Sequence, residues 1–140
     1  MIPNQIENQF AFSDKEKDIE VYIKREDLIH PFVSGNKFRK LKYNLAEAKK
    51  QNRKTLLTFG GAFSNHIAAV AFAGKLEGFN TIGIIRGDEL ADKVESNPTL
   101  KFASENGMQF EFVSREMYRY KNDEAFLSEL KDKFGDFYLI

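Results

Sequence analysis

Two stretches of the chain carry residue types fit for chemistry. The first is Ser34, Gly35, Asn36, Lys37, Phe38, Arg39, Lys40 and Leu41, where a turn runs into a helix with a lysine in its first turn. A helix N-terminus carries about half a positive charge and favours acids, so the backbone dipole mildly opposes Lys37 there. Another interaction has to want it. The second stretch is Gly60, Gly61, Ala62, Phe63, Ser64, Asn65 and His66, at the junction of a strand's carboxyl end with a helix's amino end. Ligands of open α/β sheets bind at such ends, because free backbone N–H groups and the helix dipole point there. The loop supplies a hydroxyl, an amide and an imidazole in succession.

Each of these residues also has an ordinary role. Lys37, Arg39, Lys40 and Lys42 can form one wet helix face. Ser64 or Asn65 fits an N-cap, and His66 fits a hydrogen-bonded core histidine. The glycine pair taken alone is a tight connection. It lacks the dinucleotide fingerprint G-x-G-x-x-G, the closing Gly-Lys-Ser/Thr of a P-loop and the G-x-S-x-G elbow of hydrolases. Glu26 and Asp27 point apart on an extended chain, which suits turns and ion pairs rather than an acid/base pair. His30, beside Pro31, reads as a surface loop residue. With two histidines and no cysteine, no metal site is assigned.

The elements that must position these groups follow from periodicity and caps. Ile19 to Lys24 alternates Ile19, Val21 and Ile23 against Glu20, Tyr22 and Lys24, a half-buried strand with one wet face. Phe10 and Phe12 alternate before it, as in one short strand or arm. A loop spans Arg25 to Asn36. From Lys37 to Gln51, the positions Phe38, Leu41, Leu45 and Ala48 share one helical face. At 100° per residue their centre lies about 60° from Lys37, whereas Arg39 and Lys40 lie about 120° or more away, so Lys37 borders the buried face.

After residue 53 strand and helix alternate. The spacing predicts a strand over Thr55 to Phe59 and a helix from Asn65 capped by Gly78. A strand over Thr81 to Arg86 and a helix opened by Asn97 and Pro98 and ended by Gly107 follow. Then come a strand over Gln109 to Val113, a helix from Asp123 with Phe126, Leu127, Leu130 and Phe134 on one face, and a strand over Phe137 to Ile140. Gly78, Gly107 and Gly135 recur at the ~30-residue size of a βαβ step. The reading is α/β, a three-layer parallel sheet with right-handed crossovers.

Composition bounds the class of function. The chain has 140 residues, 42% hydrophobic and 30% charged, with a formal net charge of zero, which describes a globular domain with no field favouring nucleic acid or an anionic membrane. The absence of cysteine removes disulfides, thiolate metal sites and a cysteine nucleophile together. No stretch approaches the ~20 apolar residues of a membrane span, and the expected setting is the cytoplasm.

Taken together, Ile23 to Leu28, Ser34 to Leu41 and Gly60 to His66 resemble the pyridoxal-phosphate enzymes of the 1-aminocyclopropane-1-carboxylate deaminase and D-cysteine desulfhydrase family. The likeness covers most of residues 19–140. That family has the fold type shared with the tryptophan synthase β-subunit, fold type II, whose cofactor lies between a larger and a smaller α/β domain. The resemblance implies that 1–53 begins the larger domain and that 54–140 is a smaller, incomplete one. It implies pyridoxal 5'-phosphate as cofactor, a small amino acid as substrate and a homodimer for a full-length member. Lys37 matches the lysine that carries the cofactor, and Asn65 the asparagine bonded to the cofactor's ring oxygen. Ser64 and His66 stand where the family holds the substrate carboxylate or assists proton transfer, and Lys40 is a further candidate for contact near the pocket. Lys37 and Ser64 are thus the catalytic candidates, and Ser64, Asn65 and His66 the substrate-binding ones.

Such a lysine has to be partly neutral, whereas a free lysine has a pKa of ~10.4, so desolvation and positive surroundings are required. The border position, the helix N-terminus and Arg39 are expected to supply them. The family's cyclopropane deaminases hold glutamine where this chain has His66, which leaves D-cysteine or another β-elimination open. The resemblance also implies that the phosphate loop, the partner of the pyridine nitrogen and the active-site tyrosines lie beyond the point matching Ile140, so residues 1–140 alone are expected to form an incomplete site. A non-catalytic α/β binding module derived from such an enzyme, and a nucleotide binder using Gly60 and Gly61, are the other readings.

Overall fold

The computed structural model describes residues 6–140. It opens with a hairpin: β1 (Asn8–Asp14) pairs antiparallel with β2 (Ile19–Lys24), with an irregularity between Phe10 and Phe12. The Asp14 carboxylate accepts from the amides of Glu16 and Lys17 and so closes the turn. The half-burial expected of the second strand is not found. Ile19, Tyr22 and Ile23 are exposed, as are Phe10 and Phe12, and in β2 only Val21 is partly buried. A two-stranded ribbon has no second layer of its own. Alternation records which residues are able to cover a layer, not whether one is present.

The segment from Arg25 to Ser34 is more ordered than a loop. Glu26–Leu28 forms a 3-10 turn, and Ile29 and Val33 are buried in the main core. The ring Nδ1 of His30 accepts from the amides of Phe32 and Val33, both at 3.2 Å, so this histidine ties a turn rather than lying on the surface. Single apolar anchors with no period leave nothing for a pattern to register.

α1 (Gly35–Lys50) begins two residues ahead of Lys37, its first residue being a glycine at φ 54°. A backbone in that region favours glycine. Phe38, Leu41, Leu45 and Ala48 are all buried, as their spacing predicts. The remaining strands, β3 (Thr55–Gly61), β4 (Asn80–Arg86), β5 (Met108–Val113) and β6 (Tyr138–Leu139), form one parallel sheet in the order β5-β4-β3-β6. α2 (Asn65–Glu77) links β3 to β4, α3 (Pro98–Glu105) links β4 to β5, and α4 (Glu124–Phe134) leads to β6. The predicted caps form: Asn97 accepts from the amides of Thr99 and Leu100, Asp123 from those of Ala125 and Phe126, and Gly78 ends α2 in the left-handed region.

The sheet is covered on both faces. Leu56, Ile85 and Met108 pack in one core with the buried residues of α1, α2 and α3, while Leu57, Ile82 and Ile84 pack with Phe126 and Leu130 of α4. The result is the predicted three-layer α/β arrangement. α2 lies at the centre, buried at Ile67, Ala69, Val70, Ala71, Ala73 and Gly74. A helix apolar on all sides is a buried helix. Its small residues matter for that: a Cβ at Gly74 would fall 2.2 Å from Cγ2 of Thr81, so a larger residue would push α2 off the sheet.

Candidate functional site

The junction between β3 and α2 is assembled from close contacts. A Cβ at Gly60 would lie 2.4 Å from Cγ1 of Ile67 and 3.3 Å from Cβ of Ser64, so the strand end meets the first turn of α2 where only glycine fits. The Ser64 amide donates to the Gly61 carbonyl at 3.0 Å, and the Ser64 hydroxyl oxygen accepts from the His66 amide at 3.2 Å. Ser64 is therefore the N-cap, its oxygen engaged and its proton without an acceptor among the described residues.

Facing this junction is the start of α1. A cleft of about 390 Å³ is lined by Asp27, Phe32, Ser34, Asn36, Lys37 and Asn65, among others. Two of the sequence-predicted site residues, Lys37 and Asn65, thus share one cavity although 28 positions separate them in the chain. Lys37 is half-buried, and its ammonium makes no hydrogen bond or ion pair among the described residues. Ser64 and His66 flank Asn65 without lining the cleft. Lys40 is exposed and also lies outside the lining.

The positive influence expected from Arg39 is answered elsewhere. Its guanidinium donates to both carboxylate oxygens of Glu26, at 2.6 and 3.2 Å, and the pair holds Glu26 below the usual carboxylate range. Arg39 is thus occupied with its own counter-ion. Asp27, on the cleft wall, is held low in the same way by Arg25, whose guanidinium donates to it at 2.7 and 2.9 Å. Glu26 and Asp27 serve ion pairs, as expected.

His66 is half-buried. Its Nε2 lies 2.8 Å from the Thr58 hydroxyl, which also donates to the main-chain oxygen of Ile140 at 3.1 Å. Burial first, then the charges of Lys37 and Lys40, depress the imidazole pKa below its ordinary value, which favours the neutral ring.

Sequence reasoning missed three contributors. Asp27 and Phe32 line the cleft from a segment read as a loop. Phe32 packs at a tilt against Phe72 and Phe102, at centroid distances of 4.7 and 5.3 Å, and so makes the cleft wall part of an aromatic cluster. Thr58 is buried completely in an apolar strand. One hydroxyl among Leu56, Leu57 and Phe59 is the available signal, because a buried polar group needs a partner.

No family model matches the chain. Against curated proteins, it is 34% identical over 116 residues to the bifunctional D-cysteine desulfhydrase/1-aminocyclopropane-1-carboxylate deaminase of Arabidopsis thaliana, covering 81% of this chain and 29% of that protein. It is 45% identical over 58 residues to the D-cysteine desulfhydrase of Salmonella paratyphi C, covering 41% and 18%. A solved structure described as an ACC deaminase homologue superposes with a TM-score of 0.70 at 30% identity, over 99% of this chain and 42% of that one. A hydrogen sulfide-producing enzyme of Fusobacterium nucleatum, at 14% identity and a TM-score of 0.68, shares the fold alone.

The fold class is that of the fold type II enzymes which the two motifs resemble. Over the stretch it spans, the chain belongs to the 1-aminocyclopropane-1-carboxylate deaminase and D-cysteine desulfhydrase family. It spans about a third of the length of the curated relatives it matches. Their names are those of deaminases and desulfhydrases. Among the described residues no helix is long and apolar enough to cross a membrane.

Proposed function

We propose that this chain carries the lysine side of a pyridoxal 5'-phosphate site acting on a small amino acid. Two reactions fit: 1-aminocyclopropane-1-carboxylate and water to 2-oxobutanoate and ammonia, or D-cysteine and water to pyruvate, sulfide and ammonia. The observation that carries the reading is Lys37, a half-buried residue whose amine has no described partner, in one cleft with Asn65. These groups fit the cofactor, since an amine able to condense with an aldehyde and an amide able to donate to a ring oxygen are what it would meet. Lys37 would hold it and, once released, move a proton. When bound, the cofactor supplies an electron sink for the substrate's α-carbon. Asn65 orients the ring, and the Ser64 proton is free to donate to a substrate carboxylate. Neutral His66 accepts a proton, which supports elimination from D-cysteine. Lys40 adds positive charge at the rim.

On the same reading residues 1–53 begin a larger cofactor domain and 54–140 a smaller α/β domain, a full-length form is a cytoplasmic homodimer, and residues 1–140 alone turn over little or no substrate. The test is covalent attachment: pyridoxal phosphate is added to residues 1–140, the adduct is reduced with borohydride, and the modified peptide is found by mass spectrometry. Modification at Lys37 that disappears in Lys37→Ala is expected. Attachment spread over the exposed lysines, unchanged in that variant, overturns the reading in favour of a non-catalytic module.

A further inference from the structure

His66 and its surroundings on β3 hold one group that the proposed chemistry leaves unused. Thr58 is completely buried, and its hydroxyl stands between two neighbours, His66 Nε2 at 2.8 Å and the Ile140 main-chain oxygen at 3.1 Å. A threonine hydroxyl has one proton and two lone pairs, whereas a main-chain oxygen only accepts. The proton therefore goes to Ile140, and a lone pair faces His66. A bare Nε2 at 2.8 Å would set two acceptors against each other, so Nε2 has to carry the ring proton.

Resting on the reading of His66 as a substrate-side group, we propose that Thr58 is a positioning residue that holds His66 as the Nε2–H tautomer and leaves Nδ1 as a hydrogen-bond and proton acceptor. Burial and the charges of Lys37 and Lys40 separately favour the neutral ring. The division of labour in the site follows. A substrate carboxylate only accepts, so it gains nothing at Nδ1. Carboxylate binding falls to the Ser64 hydroxyl and the Asn65 amide, and His66 is left to take a proton or an N–H from the substrate. The choice between carboxylate holder and proton carrier at His66 is thereby made by a side chain eight residues earlier.

The experiment needs no cofactor. Residues 1–140 are labelled with nitrogen-15 at histidine, and long-range proton–nitrogen correlation spectra are recorded near neutral pH, the ring being assigned by the signals lost in His66→Gln. A protonated Nε2 and an unprotonated Nδ1 are expected in the wild type and in Thr58→Ser. Thr58→Val, which matches the shape without the hydroxyl, should move the tautomer ratio roughly fivefold towards Nδ1–H, the equivalent of one ordinary hydrogen bond. A wild-type ring protonated at Nδ1, or an unchanged ratio in Thr58→Val, overturns the proposal. If Thr58→Val does not fold, Thr58→Ala removes the same hydroxyl and is read in the same way. Lys37→Ala should leave the tautomer intact, so loss of cofactor attachment and loss of the Thr58 contact are told apart.

Discussion

The two sides of the candidate site are built on opposite principles. At the β3–α2 junction the groups flanking Asn65 are held: Gly60 packs against Ile67 with no room for a methyl, Ser64 caps its helix through its side chain, and His66 leans on a buried hydroxyl. At the start of α1 the backbone is set by Gly35, but Ser34 makes no side-chain cap bond and Lys37 has no described partner. A group that orients a substrate gains from being immobilised. An amine that forms and breaks a covalent bond gains from being left free.

That contrast can be tested through stability. Gly60→Ala should be the most damaging change, destabilising the chain by about 1–3 kcal/mol in urea titration, because the new methyl overlaps Ile67 and crowds Ser64. A loss under about 0.5 kcal/mol would mean that the junction gives way and is not tightly built. Next, Ser64→Ala should remove about 1 kcal/mol by deleting the cap, and Ser64→Asp should restore most of it.

His66 should produce a smaller, pH-dependent effect. Its folded pKa lies below the ordinary value of ~6.5, so the unfolded chain binds more protons in acid. Stability is unaffected above the unfolded value and falls as pH drops through it. The loss should be greater in the wild type than in His66→Gln, and equal slopes below neutrality would contradict a depressed imidazole pKa.

On the lysine side, Ser34→Ala and Lys37→Ala should each change stability by less than about 0.5 kcal/mol. Lys37→Ala should nevertheless abolish cofactor attachment. A stabilisation loss at Ser34 comparable with that at Ser64 would remove the asymmetry between the two sides.

Much of this architecture is local and was legible. Phe38, Leu41, Leu45 and Ala48 announce a helix face, and Ser64, Asn97, Asp123 and Gly78 announce helix ends, because capping and periodicity involve residues only a few positions apart. The hairpin misled for the same reason: Ile19, Val21 and Ile23 alternate whether or not a layer lies against them. Ile29 and Val33 left no trace, since an isolated apolar residue becomes an anchor only when another element arrives. Lys37 and Asn65 were singled out through their motifs, and the pairing of Arg39 with Glu26 was not foreseen.

What residue order alone determined is the succession of strands and helices, their caps, and which side chains could react. Tertiary structure decided that β6 joins the free edge of β3, that Lys37 and Asn65 share a cleft, and that Thr58 stands between His66 and Ile140. The Thr58–Ile140 bond spans 82 residues. Contacts of that range depend on the docking of whole elements, and no local spacing encodes how far apart two such elements come to rest.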